Sequence, residues 1–172
     1  KRKKADEDFE AMAKIEFIGA EWQLETTVSV PKGPMAASEL LPIARAMVDS
    51  IADAATKSVA ANGQEISCKK GCGACCRQLV PIAGVEARKL RDLIEAQPEP
   101  RRSEIYYRFA AARRRLEEFG LLEKLRSRAD WEEREVAGLG LKYFFAGIAC
   151  PFLENESCSI YADRPLACRE YL

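Results

Sequence analysis

The sequence predicts a mainly α protein of the α+β kind, a helical domain with a small N-terminal β hairpin and a cysteine-rich core. Three observations predict it. Apolar residues recur at helical spacing in successive stretches between residues 36 and 146. They alternate with polar residues only between residues 12 and 30. Four cysteines fall within CKKGCGACC at 68–76, and Cys150, Cys158 and Cys168 follow near the end. Cysteines so clustered mark the core as a metal-binding one.

Residues 1–8, KRKKADED, are charged apart from Ala5 and read as a loosely held arm. The basic run is opposed at once by Asp6, Glu7 and Asp8, which favours a solvated segment over a nucleic-acid tail. Next, Trp22, Leu24, Thr26, Val28 and Val30 alternate with Gln23, Glu25, Thr27 and Ser29, the period of a half-buried strand. Ile15 to Ile18 are expected to pair with it across Gly19–Ala20. Pro31, Gly33 and Pro34 break the chain. The expected division is therefore an arm and hairpin over 1–35 and a helical cysteine-cluster domain over 36–172.

Leu40, Ile43, Ala44, Met47, Val48, Ile51 and Ala55 predict a helix over 36–61, closed by Asn62–Gly63. Pro42 falls near its start, where proline is tolerated. After the cysteine cluster, Val85, Leu90, Leu93 and Ile94 predict a helix ending before Pro98. Ile105, Phe109, Ala112, Leu116 and Phe119 predict another over about 101–119, with Gly120 as its stop. Shorter helical stretches are expected at about 121–128 and 130–146, the latter holding Trp131, Val136, Leu139, Tyr143 and Phe144. Gly138 and Gly140 weaken it. Residues 150–161 read as a small loop or hairpin around the polar turn ENES. Pro165 suits the first position of a terminal helical turn carrying Cys168.

With 172 residues the chain can bury a core without staples. Net charge is zero, which gives no global attraction to nucleic acid or membrane. Residues 101–128 hold nine Lys/Arg against four Glu, a surplus of five. A solvated helix face explains that surplus better than nucleic acid, because no aromatic platform is interleaved with it. No apolar run approaches the roughly 20 residues that cross a bilayer. Nothing at the start reads as a signal peptide, but a start without Met is silent on export; a cytoplasmic location is expected from the clustered cysteines, whose cytosolic reading is metal or redox chemistry. The chain starts without Met and stops four residues after Cys168, so the natural protein is expected to extend beyond this sequence.

The chain has seven cysteines and no histidine. Absent His removes His-containing zinc sites and Ser-His or Cys-His catalysis. An odd cysteine count argues against an extracellular disulfide framework. Around Cys68, Cys72, Cys75 and Cys76, Gly71 and Gly73 let the backbone wrap tightly, and Lys69, Lys70 and Arg77 favour thiolates. Three readings compete. All-cysteine ligation with x3 and x2 spacing suits an iron–sulfur cluster, the favoured cofactor. Four of the cysteines suit tetrahedral Zn2+. Adjacent Cys75–Cys76 also suit a metal-free dithiol–disulfide switch. The C-x3-C-x2-C spacing matches the cluster loop of radical S-adenosylmethionine enzymes too, but the helical remainder of the chain does not supply their β/α barrel.

CKKGCGACC at 68–76, CPFL at 150–153, CSIY at 158–161 and RPLACR at 164–169 together resemble the YkgJ-like cysteine-cluster family, a zinc- or iron-chelating domain. The resemblance covers about 68–172. It implies metal chelation by Cys68, Cys72, Cys75, Cys76, Cys150, Cys158 and Cys168. Many members carry an eighth cysteine, whereas this chain has seven. A similar cysteine block occurs in flagellin lysine methylases, which are associated with an iron–sulfur cluster. That likeness implies a second class of function, a redox or group-transfer enzyme using a cluster with an open site, though no methyl-donor motif is visible here. Arg164 and Arg169 bracket the last cysteine and are expected either to steady thiolate charge around the cofactor or to pair with Asp163 or Glu170. The expected partners are a metal ion or cluster and a protein, with membrane and nucleic acid disfavoured.

Overall fold

The computed structural model describes residues 10–68, 71–127 and 133–171. The charged run 1–8 and Trp131 lie outside them. The protein is mainly α with a small β part, as the periodicities predict, and it forms two compact units.

The first unit contains the chain up to Cys68 together with the stretch from Pro165 on. Strands β1 (Glu10–Ile18) and β2 (Gln23–Pro31) form an antiparallel hairpin with Ile15 opposite Thr26 and Phe17 opposite Leu24. Leu24, Thr26 and Val28 are half-buried while Gln23, Glu25 and Thr27 face solvent, which is the expected alternation. Trp22, expected to open the strand, sits instead in the connecting turn. The Gly19 amide donates to the Trp22 carbonyl at 2.8 Å and closes that turn. The indole then lies over Gly19, where a Cβ would come within 2.3 Å of the ring.

Helix α1 (Ala37–Ala61) follows. The Glu39 carboxylate accepts the Ala36 amide at 2.7 Å and caps its start. Gly63, at φ +72°, ends it in a conformation that glycine adopts without strain. Pro42 is accommodated inside the helix near its start, at the loss of one backbone donor. Ser58 Oγ donates to the Glu21 carbonyl at 3.1 Å and joins α1 to the hairpin turn. A short terminal helix packs on α1. It begins at Leu166, one residue after Pro165.

The second unit runs from residue 69 to Arg164. It holds α2 (Gly84–Glu95), α3 (Arg101–Glu118), α4 (Leu122–Arg126) and α5 (Glu133–Phe145). A two-stranded hairpin follows, β3 (Leu153–Glu154) and β4 (Ser157–Cys158). The terminal helix of the first unit is α6 (Leu166–Glu170). One core of the second unit is Leu121, Leu139, Ala146 and Ile148, packed by Ala112, Leu116 and Tyr143. The other is Ile94, Ile105 and Phe152, packed by Leu90, Cys150 and Ile160. This second core matters for function, because it seats the cysteine hairpin on α2 and α3. Phe109 meets Phe152 edge-on, with ring centroids 5.5 Å apart. Phe119, expected inside, is half exposed and covered on one face by the Arg115 guanidinium.

Candidate metal centre

The cysteine loop begins at Gly71, whose φ of +97° needs glycine. Gly73 is required for a different reason. A Cβ there would lie 2.9 Å from both Leu153 Cδ1 and Glu156 Oε2, so its absence lets the β3–β4 hairpin close on the loop. Cys75, Cys76 and Arg77 then form one 3-10 turn, with the Cys76 amide donating to the Gly73 carbonyl at 3.2 Å.

The hairpin side is joined to the loop through the backbone. The Cys150 amide donates to the Cys76 carbonyl at 2.7 Å, and Leu153 donates back to Cys150 at 2.9 Å. Cys150 packs against the Ile94, Ile105 and Phe152 core. Cys158 is the last residue of β4, directly across from Leu153. Two segments some 80 residues apart thus bring thiols together within one unit.

Cys75, Cys76, Cys150 and Cys158 are close enough to act on one another electrically. Burial raises the Cys76 thiol first, and negative charge at Cys150, Cys75 and Cys158 raises it further, to about 12. Cys76 also makes thiol hydrogen bonds with Cys75 and Cys150. Burial likewise raises Cys150, with Cys158 and Cys75 adding to it, while the Phe152 amide pulls the other way. Tyr143 on α5 is pushed up to about 12 by burial and by Cys150. Cys76 and Cys150 therefore hold their protons at neutral pH.

Among the described residues, no three Cys, His, Asp or Glu side chains converge as the ligands of one ion. The four thiols lie in one another's electrostatic field, yet no three of them gather as the ligands of one zinc ion would. The two observations differ because mutual influence extends much further than coordination. The donor chemistry fits a thiophilic metal, and closing the ligand shell requires deprotonation and small side-chain movements. None of the seven cysteines is joined in a disulfide.

The other sequence candidates are distributed as follows. Cys72 is exposed on the loop, where it and Cys76 both lie in the field of Arg77. Cys68 and Cys168 belong to the first unit. There the Cys68 thiol points to the Tyr171 carbonyl at 3.8 Å. Arg169 donates to both Asp49 oxygens at 2.7 and 2.8 Å, an ion pair to α1 and not to a sequence neighbour. Arg164 lies 3.7 Å above the Tyr161 ring and donates to its carbonyl at 3.1 Å.

Sequence reasoning missed the two carboxylates of the hairpin turn. Glu154 accepts from Arg101 at 3.0 Å and from Arg108 at 2.6 Å, both on α3. Burial alone would raise its carboxyl, but these guanidiniums outweigh burial and lower it. Glu156 faces the other way and takes both Arg77 amino groups, at 2.8 and 2.5 Å. That bidentate pair holds its carboxyl below the usual range. Asn155 and Glu156 have φ of 48° and 60°, the left-handed pair of a type I′ hairpin turn. Such turns favour Asn-Gly, and a non-glycine residue in this region costs about 1–2 kcal/mol. The sequence located the turn at ENES but not its type, which a glycine at 156 would have signalled.

A cavity of about 130 Å³ lies beneath the hairpin, lined by Ile94, Arg101, Ile105, Phe152, Ser159 and Asp163 among others. It is well under the roughly 300 Å³ at which ligand pockets begin, so it has room for only a few atoms. No helix of the described residues is long and apolar enough to cross a membrane.

A family model, CxxCxxCC, described as "Putative zinc- or iron-chelating domain", matches residues 67–172. No curated protein and no solved structure matches the chain.

Proposed function

This chain belongs to the CxxCxxCC family of zinc- or iron-chelating domains, and from that premise we propose that it binds a metal centre through cysteine thiolates. Cys75, Cys76, Cys150 and Cys158 are the inner ligands, and Cys72 is the thiol at the exposed edge. The observation that carries this is the mutual influence of those four thiols inside one compact unit. Cys68 and Cys168 enter as the remaining thiols of the family pattern. Arg164 and Arg169 enter only as nearby cations.

An iron–sulfur cluster is the favoured centre. The chain offers only thiolates in the cluster region and no histidine anywhere, and such clusters are held by Cys thiolates. When bound, a cluster supplies electron transfer or a Lewis-acidic iron. The chain's own residues set the conditions for it. Partial burial of Cys76 and Cys150 limits their contact with water, and Arg77 offsets thiolate charge at the loop. Zinc is the second reading, because four thiols in one unit are what a tetrahedral all-thiolate site needs. A cytoplasmic location follows from this reading, since clustered free thiols suit a reducing compartment.

The test is anaerobic purification with visible absorption and assay of iron, zinc and acid-labile sulfide. Brown protein with matched iron and sulfide supports the cluster. Colourless protein with stoichiometric zinc supports the second reading. Metal-free protein carrying a reversible disulfide would replace both with a thiol redox switch.

A further inference from the structure

The β3–β4 turn presents an anomaly. Glu156 occupies a left-handed position, φ 60°, at the second central place of a type I′ turn, where glycine is the unstrained choice. A strained residue invites a functional reading when its side chain does something glycine cannot. Here the carboxylate reaches across to the cysteine loop and takes both amino groups of Arg77. Arg77 in turn donates to the Gly73 carbonyl at 3.1 Å. The same guanidinium lies in the field of Cys72 and Cys76. Gly73 has no side chain where Leu153 and Glu156 approach, so the contact is built from both sides. Glu154, two residues earlier, is committed to Arg101 and Arg108 on α3. The hairpin therefore has two anchors, one to the helical core and one to the loop.

We propose that the Arg77–Glu156 pair is a positioning latch, which fixes the hairpin cysteines, Cys150 and Cys158, in register with the loop cysteines, Cys75 and Cys76. This inference rests on the metal-binding reading and adds two residues that neither touch the metal nor follow the cysteine pattern. The pair acts through alignment. A bidentate guanidinium–carboxylate contact fixes both direction and distance, which a lysine could not reproduce. Partners of this kind typically change metal affinity by about 10–100-fold when lost.

The experiment uses the full chain, with Zn2+ titrated against a chromophoric chelator and Co2+ as a spectroscopic probe. Glu156→Gly gives the turn its preferred residue and removes the latch. The expected result is a split: the metal-free thermal midpoint is unchanged or higher, while zinc affinity falls at least about tenfold. Arg77→Lys should weaken binding too, and the swap Arg77→Glu with Glu156→Arg should recover part of it. The Co2+ thiolate bands should broaden or shift in Glu156→Gly. Zinc affinity within about twofold of wild type in Glu156→Gly would overturn the latch alone, that threshold lying well under the loss expected of a supporting residue. A wild-type chain that takes up neither Zn2+ nor Co2+ and, purified anaerobically, carries no iron or acid-labile sulfide would overturn the metal reading and the latch together.

Discussion

At the residue scale the chemistry is that of protonated thiols crowded by burial and by one another. Cys76 has its thiol raised from 9.0 to about 12, and Tyr143 its phenol from 10.0 to about 12. Both folded values lie above the unfolded ones, so the folded state holds these protons more tightly. The metal-free chain should keep this contribution in full below pH 9 and lose it as pH rises towards 12. Urea midpoints measured across that range should fall, and Cys76→Ala should flatten the fall. Metal and protons compete for the same sulfurs, so uptake releases protons. Apparent zinc affinity should rise between pH 6 and 8, by up to about tenfold per pH unit for each proton released. An affinity independent of pH in that range would place the metal on groups other than these thiols. The clustering of the cysteines was legible in the sequence, because cysteine is scarce in ordinary domains and four fall within nine residues here. Arg77 was legible only as a flanking cation. Glu156 was not legible, since its importance lies in a backbone angle that the polar run ENES does not encode.

At the element scale, apolar period located α1, α2 and α3 closely, because Ile94, Ile105, Leu116 and their neighbours repeat on one face of each helix. It misread Trp22 and Phe119, whose rings are covered by local contacts, with Gly19 and with Arg115, and not by the core. The hairpin from 153 to 158 was foreseen as a polar turn, but its seat was not. That seat is Phe152, buried with Ile94 and Ile105, plus Glu154 held by two arginines. Ile105 is 1% exposed, so Ile105→Ala should cost about 2–5 kcal/mol of stability by chemical denaturation. Glu154→Ala leaves two half-buried guanidiniums without their carboxylate and should cost about 1–3 kcal/mol. A loss under about 0.5 kcal/mol in either variant, the scale of an ordinary surface change, would mean that the hairpin is seated by something else.

At the scale of the whole molecule, the mainly α fold serves to join sequence-distant cysteines. Within the second unit, α2 and α3 supply a platform and the Cys76–Cys150 backbone bond sews the loop to the hairpin. The mainly α class was readable because the long stretch after residue 36 keeps a helical period. The partition into two units was not, because it depends on which distant segments touch, and Pro165–Glu170 returns to α1 from the far end of the chain. A ligand bound only by the folded state stabilises it by mass action. Chelator treatment of the loaded protein should therefore lower its thermal midpoint, and added metal should restore it. The most direct test of the thiolate centre is X-ray absorption at the edge of whichever metal the purified protein carries. An all-sulfur first shell at about 2.3 Å, reduced in Cys76→Ala and Cys150→Ala, is the predicted result. A shell of oxygen or nitrogen, or a sulfur shell unchanged in both variants, would contradict it.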